Sequence, residues 1–130
     1  MQEKLLKIIE TSPSHQVNLG GQNIQDTDLE EILLKIQELR PDIEEIFLFG
    51  NKLKDKGGIL LQHYGDKLNK LSRIDVQGNN IGEDGILAMC TLLQKKPHLE
   101  LALHGNQIRD VRRMEEIKKM ALNKKNHKKK

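Results

Sequence analysis

Ile74-Asp-Val76-Gln-Gly-Asn79-Asn-Ile81-Gly-Glu-Asp-Gly85-Ile-Leu-Ala-Met89 is the stretch on which the fold turns. Its first residues alternate apolar and polar, the period of a strand buried on one face, until Gly78-Asn79 interrupts the run. Further on, Ile86, Met89, Cys90 and Leu93 fall at helical spacing and make one side of a helix apolar. Strand, turn and helix follow one another. The same opening occurs three more times, as Val17-Asn-Leu19-Gly-Gly-Gln22-Asn-Ile24, Ile46-Phe-Leu48-Phe-Gly-Asn51-Lys-Leu53 and Leu101-Ala-Leu103-His-Gly-Asn106-Gln-Ile108. The anchors Leu19, Leu48, Val76 and Leu103 are 29, 28 and 27 residues apart, a period that marks a repeat architecture.

In these four copies, with Lys96-Pro97-His-Leu99 following the third, the chain resembles the leucine-rich repeat family, and within it the longer subclass similar to ribonuclease inhibitor. The resemblance covers about residues 17 to 110. It implies an α/β fold: a short leucine-rich-repeat solenoid with a curved parallel sheet on its concave side and helices on its convex side. Two departures stand out. Gln22 takes the place of Asn in the first copy, and the fourth copy arrives one residue early, which predicts a bulged or poorly paired last strand.

Physics gives the same pattern independently. One strand per repeat buries Ile46, Leu48, Ile74, Val76, Leu101 and Leu103 against the helices and sends the intervening side chains to the open face. Asn51, Asn79 and Asn106 are expected to stack as a structural ladder, their amides bonding backbone groups at the strand exits. Both ends of such a stack need covers. Residues 1–12, with Leu5, Leu6, Ile8 and Ile9 before Pro13, read as an N-terminal capping helix. Residues 110–122 read as a C-terminal one, with Asp110 at its start, Met114, Ile117 and Ala121 as its apolar stripe, and Lys118 and Lys119 in its last turn. The repeats span 17–110, and residues 123–130 read as a disordered basic tail.

Composition narrows the function. The chain has 130 residues, the size of one domain. It has no Trp, one Tyr and two Phe, so Leu and Ile must build the core. The net charge of +3 is uneven: residues 1–108 carry −4 and residues 109–130 carry +7. A basic groove across the fold is therefore not expected, and contact with nucleic acid or an anionic membrane would fall to the tail, Lys124, Lys125, Lys128, Lys129 and Lys130. No aromatic lies in that tail to stack on bases. Cys90 is the only cysteine and there is no apolar run of membrane-spanning length, which together predict an intracellular, cytoplasmic protein, with the nucleus or delivery into a host cell as alternatives.

Catalytic and metal chemistry find little support. The five His are scattered, and Cys90 falls where the repeat wants a small buried side chain, so neither a metal site nor a catalytic thiol is expected. The Gly78 to Gly85 loop lacks GK[ST] and carries Glu83 and Asp84, which repel a phosphate. Asp26-Thr-Asp28-Leu-Glu30 lacks the glycine of a calcium loop and opens a helix instead. No cofactor is expected.

The open face is more informative. Strand alternation predicts that Phe47 and Phe49, the only phenylalanines, lie outward among Asn18, Gly20, Asp75, Gln77, Ala102 and His104. An aromatic centre with a polar surround has the composition of a binding hot spot. The chain therefore reads as a non-enzymatic, monomeric module that binds a protein on its concave face, with Phe47 and Phe49 as anchors and Asp75, Gln77 and His104 setting polarity. The alternatives are packing of the rings on their neighbours, a homodimer through them, a regulator of an enzyme such as a small GTPase (a role one branch of the resembled subclass implies), and a basic-tail binder of nucleic acid or membrane.

Overall fold

Each apolar-x-apolar opening becomes a strand of three residues in the computed structural model, which describes residues 1–128 and side chains as far as 123. In chain order the elements are α1 (Glu3–Thr11), β1 (Gln16–Asn18), α2 (Asp26–Leu39), β2 (Glu45–Phe47), α3 (Asp55–Gly65), β3 (Arg73–Asp75), α4 (Glu83–Cys90) with a 3-10 turn over Thr91–Gln94, β4 (Glu100–Ala102) and α5 (Val111–Lys128). The four strands form one parallel sheet in the order β1-β2-β3-β4. Its register sets Val17, Ile46, Ile74 and Leu101 in one row and Asn18, Phe47, Asp75 and Ala102 in the next.

The first of these rows faces the helices. Val17, Ile46 and Ile74 are fully buried, as are Leu19, Leu48, Val76 and the helix residues Leu29, Ile32, Leu33, Ile36, Leu61, Ile86, Met89 and Cys90, in a single aliphatic core. Helices pack on their sequence neighbours, α1 on α2, α2 on α3, α3 on α4 and α4 on α5. Where each strand ends, Gly21, Gly50, Gly78 and Gly105 take left-handed φ values of 66°, 64°, 70° and 74°. At Gly105 close approach requires glycine as well, because a Cβ there would lie 3.0 Å from the backbone nitrogen of Gly78.

The capping helices form on the expected stripes: Leu5 and Ile9 are buried on α1, Ile117 and Ala121 on α5. α1 ends before Ser12-Pro13. Asp110 stands before α5, and its Oδ1 accepts from the Arg112 N–H at 2.9 Å. Two expectations need correction. The fourth strand is not bulged: β4 continues the register of β3 across all three residues. The shortening falls in the connector to β4, residues 95–99, which has five residues where the connector 66–72 between α3 and β3 has seven. The last helix also does not stop at 122. No Gly or Pro follows Leu122, and the helical backbone runs on to Lys128, through most of the stretch read as a disordered tail. Lys118 and Lys119 thus sit in mid-helix rather than in a last turn.

Candidate protein-binding face

The sheet face turned away from the helices carries three rows of side chains. The first is Gln16, Glu45, Arg73 and Glu100, the second Asn18, Phe47, Asp75 and Ala102. The third, one step beyond the strands, is Gly20, Phe49, Gln77 and His104. It is kept in phase by the bonds that join consecutive repeats, from Gly21 N–H to the Phe49 carbonyl at 2.9 Å, from Gly50 to Gln77 at 2.8 Å and from Gly78 to His104 at 3.0 Å.

Phe47 is half-buried, and Phe49 keeps 39% of its surface exposed. The ring of Phe49 lies over Gly20, where a Cβ would fall 2.2 Å from Phe49 Cζ. Much of the aromatic surface is thus covered by the fold itself, and what remains open belongs chiefly to Phe49. The glycine opposite Phe49 in the first copy was the available sequence signal for this packing. Asp75 departs from the expected solvent-facing position: on the outer face it is only 6% exposed. Its Oδ1 accepts from the Gln77 backbone N–H at 3.0 Å, both carboxylate oxygens accept from Gln77 Nε2 at 3.1 Å, and Arg73 stands 3.9 Å away. Arg73 in turn reaches Glu100 at 3.2 Å. Asp75 therefore fixes Gln77 and Arg73 in place. Gln77 remains half-buried and His104 is exposed.

The asparagines form the expected ladder. Asn51 Nδ2 donates to the carbonyls of Leu19 and Leu48, both at 2.9 Å, while its Oδ1 accepts from Gln22 N–H at 3.0 Å and Ile24 N–H at 2.9 Å. Asn79 bonds the carbonyls of Leu48 and Val76 and the Leu53 N–H, and Asn106 bonds those of Val76 and Leu103 and the Ile81 N–H. Every rung reaches back one repeat. The first copy has no repeat before it, so its Gln22 needs no such reach and instead bonds its own Gly20 carbonyl at 3.3 Å.

A second inter-repeat device went unread in the sequence. Asp26, the first residue of α2, accepts from the Lys54 N–H at 2.9 Å, and Asp55, the first of α3, accepts from the N–H groups of Gly82 at 2.7 Å and Gly85 at 3.0 Å. Glu83 heads α4 and receives Arg113 Nε at 2.8 Å. These acids recur at the repeat spacing, which was the signal that could have revealed them. The Arg113 guanidinium holds the Glu83 carboxyl below the ordinary carboxylate range.

Cys90 lies inside the core, where burial pushes its thiol up to about 11. Among the described residues no group of three or more His, Cys, Asp or Glu side chains is placed to hold a metal ion, and no helix is long and apolar enough to cross a membrane. The side chains of Lys124, Lys125, Lys128, Lys129 and Lys130 lie outside the described residues.

The fold defines the class: an α/β chain of strand–turn–helix units on a four-stranded parallel sheet. No protein-family model matches the chain, and no curated protein does. A solved structure of leiomodin-1 actin-binding site 2 (ABS2) is similar in fold, with a TM-score of 0.66 over 98% of this chain and 92% of that one, at 14% sequence identity.

Proposed function

We propose that this chain is a non-catalytic protein-binding module, with repeats of the ribonuclease-inhibitor-like subclass, whose partner sits on the outer face of the sheet. One observation carries the reading: in a chain almost without aromatics, both phenylalanines stand side by side on that face, and Phe49 is left open. The likeness of fold to a protein segment described as actin-binding supports a protein partner. Phe49 and Phe47 are the anchors, His104 and Gln77 the polar margin, and Asp75 holds that margin in position. Covering the remaining exposed ring surface contributes about 2 kcal/mol, less than two fully exposed rings would give.

The test compares wild type with the Phe47→Ala/Phe49→Ala double variant after circular dichroism and melting establish that both are folded. Actin is the first protein to titrate. Partners captured from lysate come next, each purified and titrated against both proteins. A partner that binds wild type about tenfold or more tightly than the folded double variant supports the reading. Equal binding to both moves the site off this face.

A further inference from the structure

The two ends of the repeat stack are finished differently. At the N-terminal end α1 lies against α2 and β1, and Val17, Leu19 and Ile24 are as fully buried as their counterparts in the middle of the stack. At the C-terminal end Leu101 and Ile108 are only half-buried, although Val17, Ile46 and Ile74 in the first column are 0–1% exposed, as are Ile24, Leu53 and Ile81 in the second. Between β4 and α5 lies a groove of about 150 Å³, lined by Leu101, Leu103, Ile108, Val111, Met114 and Lys118.

Backbone bonding stops at the same edge. Leu19, Leu48 and Val76 each donate their N–H to the strand of the next repeat, at 2.8, 2.7 and 3.0 Å, and Gly21, Gly50 and Gly78 do likewise. Their counterparts Leu103 and Gly105 have no next strand, and among the described residues their N–H groups make no hydrogen bond. Ile24, Leu53 and Ile81 have N–H groups taken by the asparagine of the following repeat, and carbonyls taken by the N–H of Lys52, Asn80 and Gln107. Ile108 has neither partner among the described residues.

We propose that this edge and groove dock an extended segment of another protein, of the pattern apolar-x-apolar-x-Gly-Asn, which adds to β4 as a fifth parallel strand. The repeated bonding specifies the pattern. The segment's backbone carbonyls accept from Leu103 and Gly105, its asparagine bonds Ile108 N–H and the Leu103 carbonyl, and its two apolar side chains fill the groove against Leu101 and Met114. A second copy of this chain is a poor occupant, because its own first repeat is already covered by α1 and carries Gln22 at the asparagine position.

The probe is a synthetic peptide reproducing residues 72–84 of this chain, which has the pattern, titrated into the full chain beside a scrambled peptide of equal composition. The expected result is saturable binding of the first peptide alone, with amide NMR shifts at Leu101, Leu103, Gly105 and Ile108, and affinity lowered about tenfold in the exposed-site variant Val111→Glu, verified as folded. Absence of saturable binding at millimolar peptide, equal binding of the scrambled peptide, or shifts confined to Phe47, Phe49 and Gln77 overturns it. The Phe47→Ala/Phe49→Ala variant binds the peptide normally, which separates failure here from failure of the outer-face reading.

Discussion

Asn51 shows how one side chain supports two repeats. Its amide replaces, for the carbonyls of Leu19 and Leu48 and the N–H groups of Gln22 and Ile24, the water that burial at 6% exposure removes. Asn51→Leu keeps the branched shape and loses every bond, so it should destabilise the chain by about 2–4 kcal/mol, measurable by denaturant unfolding. Asn79→Leu, at a half-buried rung with fewer bonds, should cost less, about 1–3 kcal/mol. Cys90 gives the opposite case, a group whose chemistry is suppressed. Burial favours the neutral thiol and raises it from 9.0 to about 11. The folded chain should therefore react with thiol reagents at pH 8 far more slowly than the denatured chain. By linkage, its contribution to stability is intact below the unfolded value of 9.0 and falls as pH rises from there through about 11, a decline that a Cys90→Ala variant should lack.

At the scale of elements, the tightest meeting is between α3 and α4. A Cβ on Gly58 would lie 2.5 Å from the Gly85 carbonyl oxygen, and one on Gly85 would lie 2.9 Å from Asp55 Cα. Backbone cannot yield as a flexible side chain can, so Gly85→Ala should destabilise by about 2–4 kcal/mol even though alanine favours a helix. Thermal melting of Gly85→Ala beside an alanine substitution at exposed Lys56 separates the clash from propensity. These helices also show what was legible in the sequence. The strands, the asparagine ladder and both capping stripes could be read because each is a local pattern of period two, 3.6 or 28. The extra length of α5 and the regular pairing of β4 could not. The first depends on the absence of a stop signal rather than the presence of a start, and the second on a shorter connector before β4 that takes up the missing residue. Asp75 was misjudged for a related reason. Alternation tells which face a side chain is on, but its burial depends on Arg73 and Gln77 closing over it.

For the whole molecule, the separation of charge and apolar surface is what matters. The acidic repeats hold the two phenylalanines, and the basic residues are gathered on the last helix and beyond. Removing residues 123–130 should leave binding on the outer face within about twofold of wild type and insensitive to that loss at any ionic strength. Binding that depends on the lysines would instead weaken on truncation and fall steeply with added salt. Titration of one partner into both proteins at low and high salt distinguishes the two.

Because every asparagine rung ties its own repeat to the one before, the stack is joined the way roof tiles are, each course pinned under the next. Pulled by its two ends, such a molecule has a preferred place to give way: the last repeat, pinned on one side only, is freed first and leaves the neighbouring loop exposed for the next release. Extension would then come in increments of about 28 residues, roughly 10 nm of chain apiece, so that under tension the repeat becomes a unit of length as well as of structure.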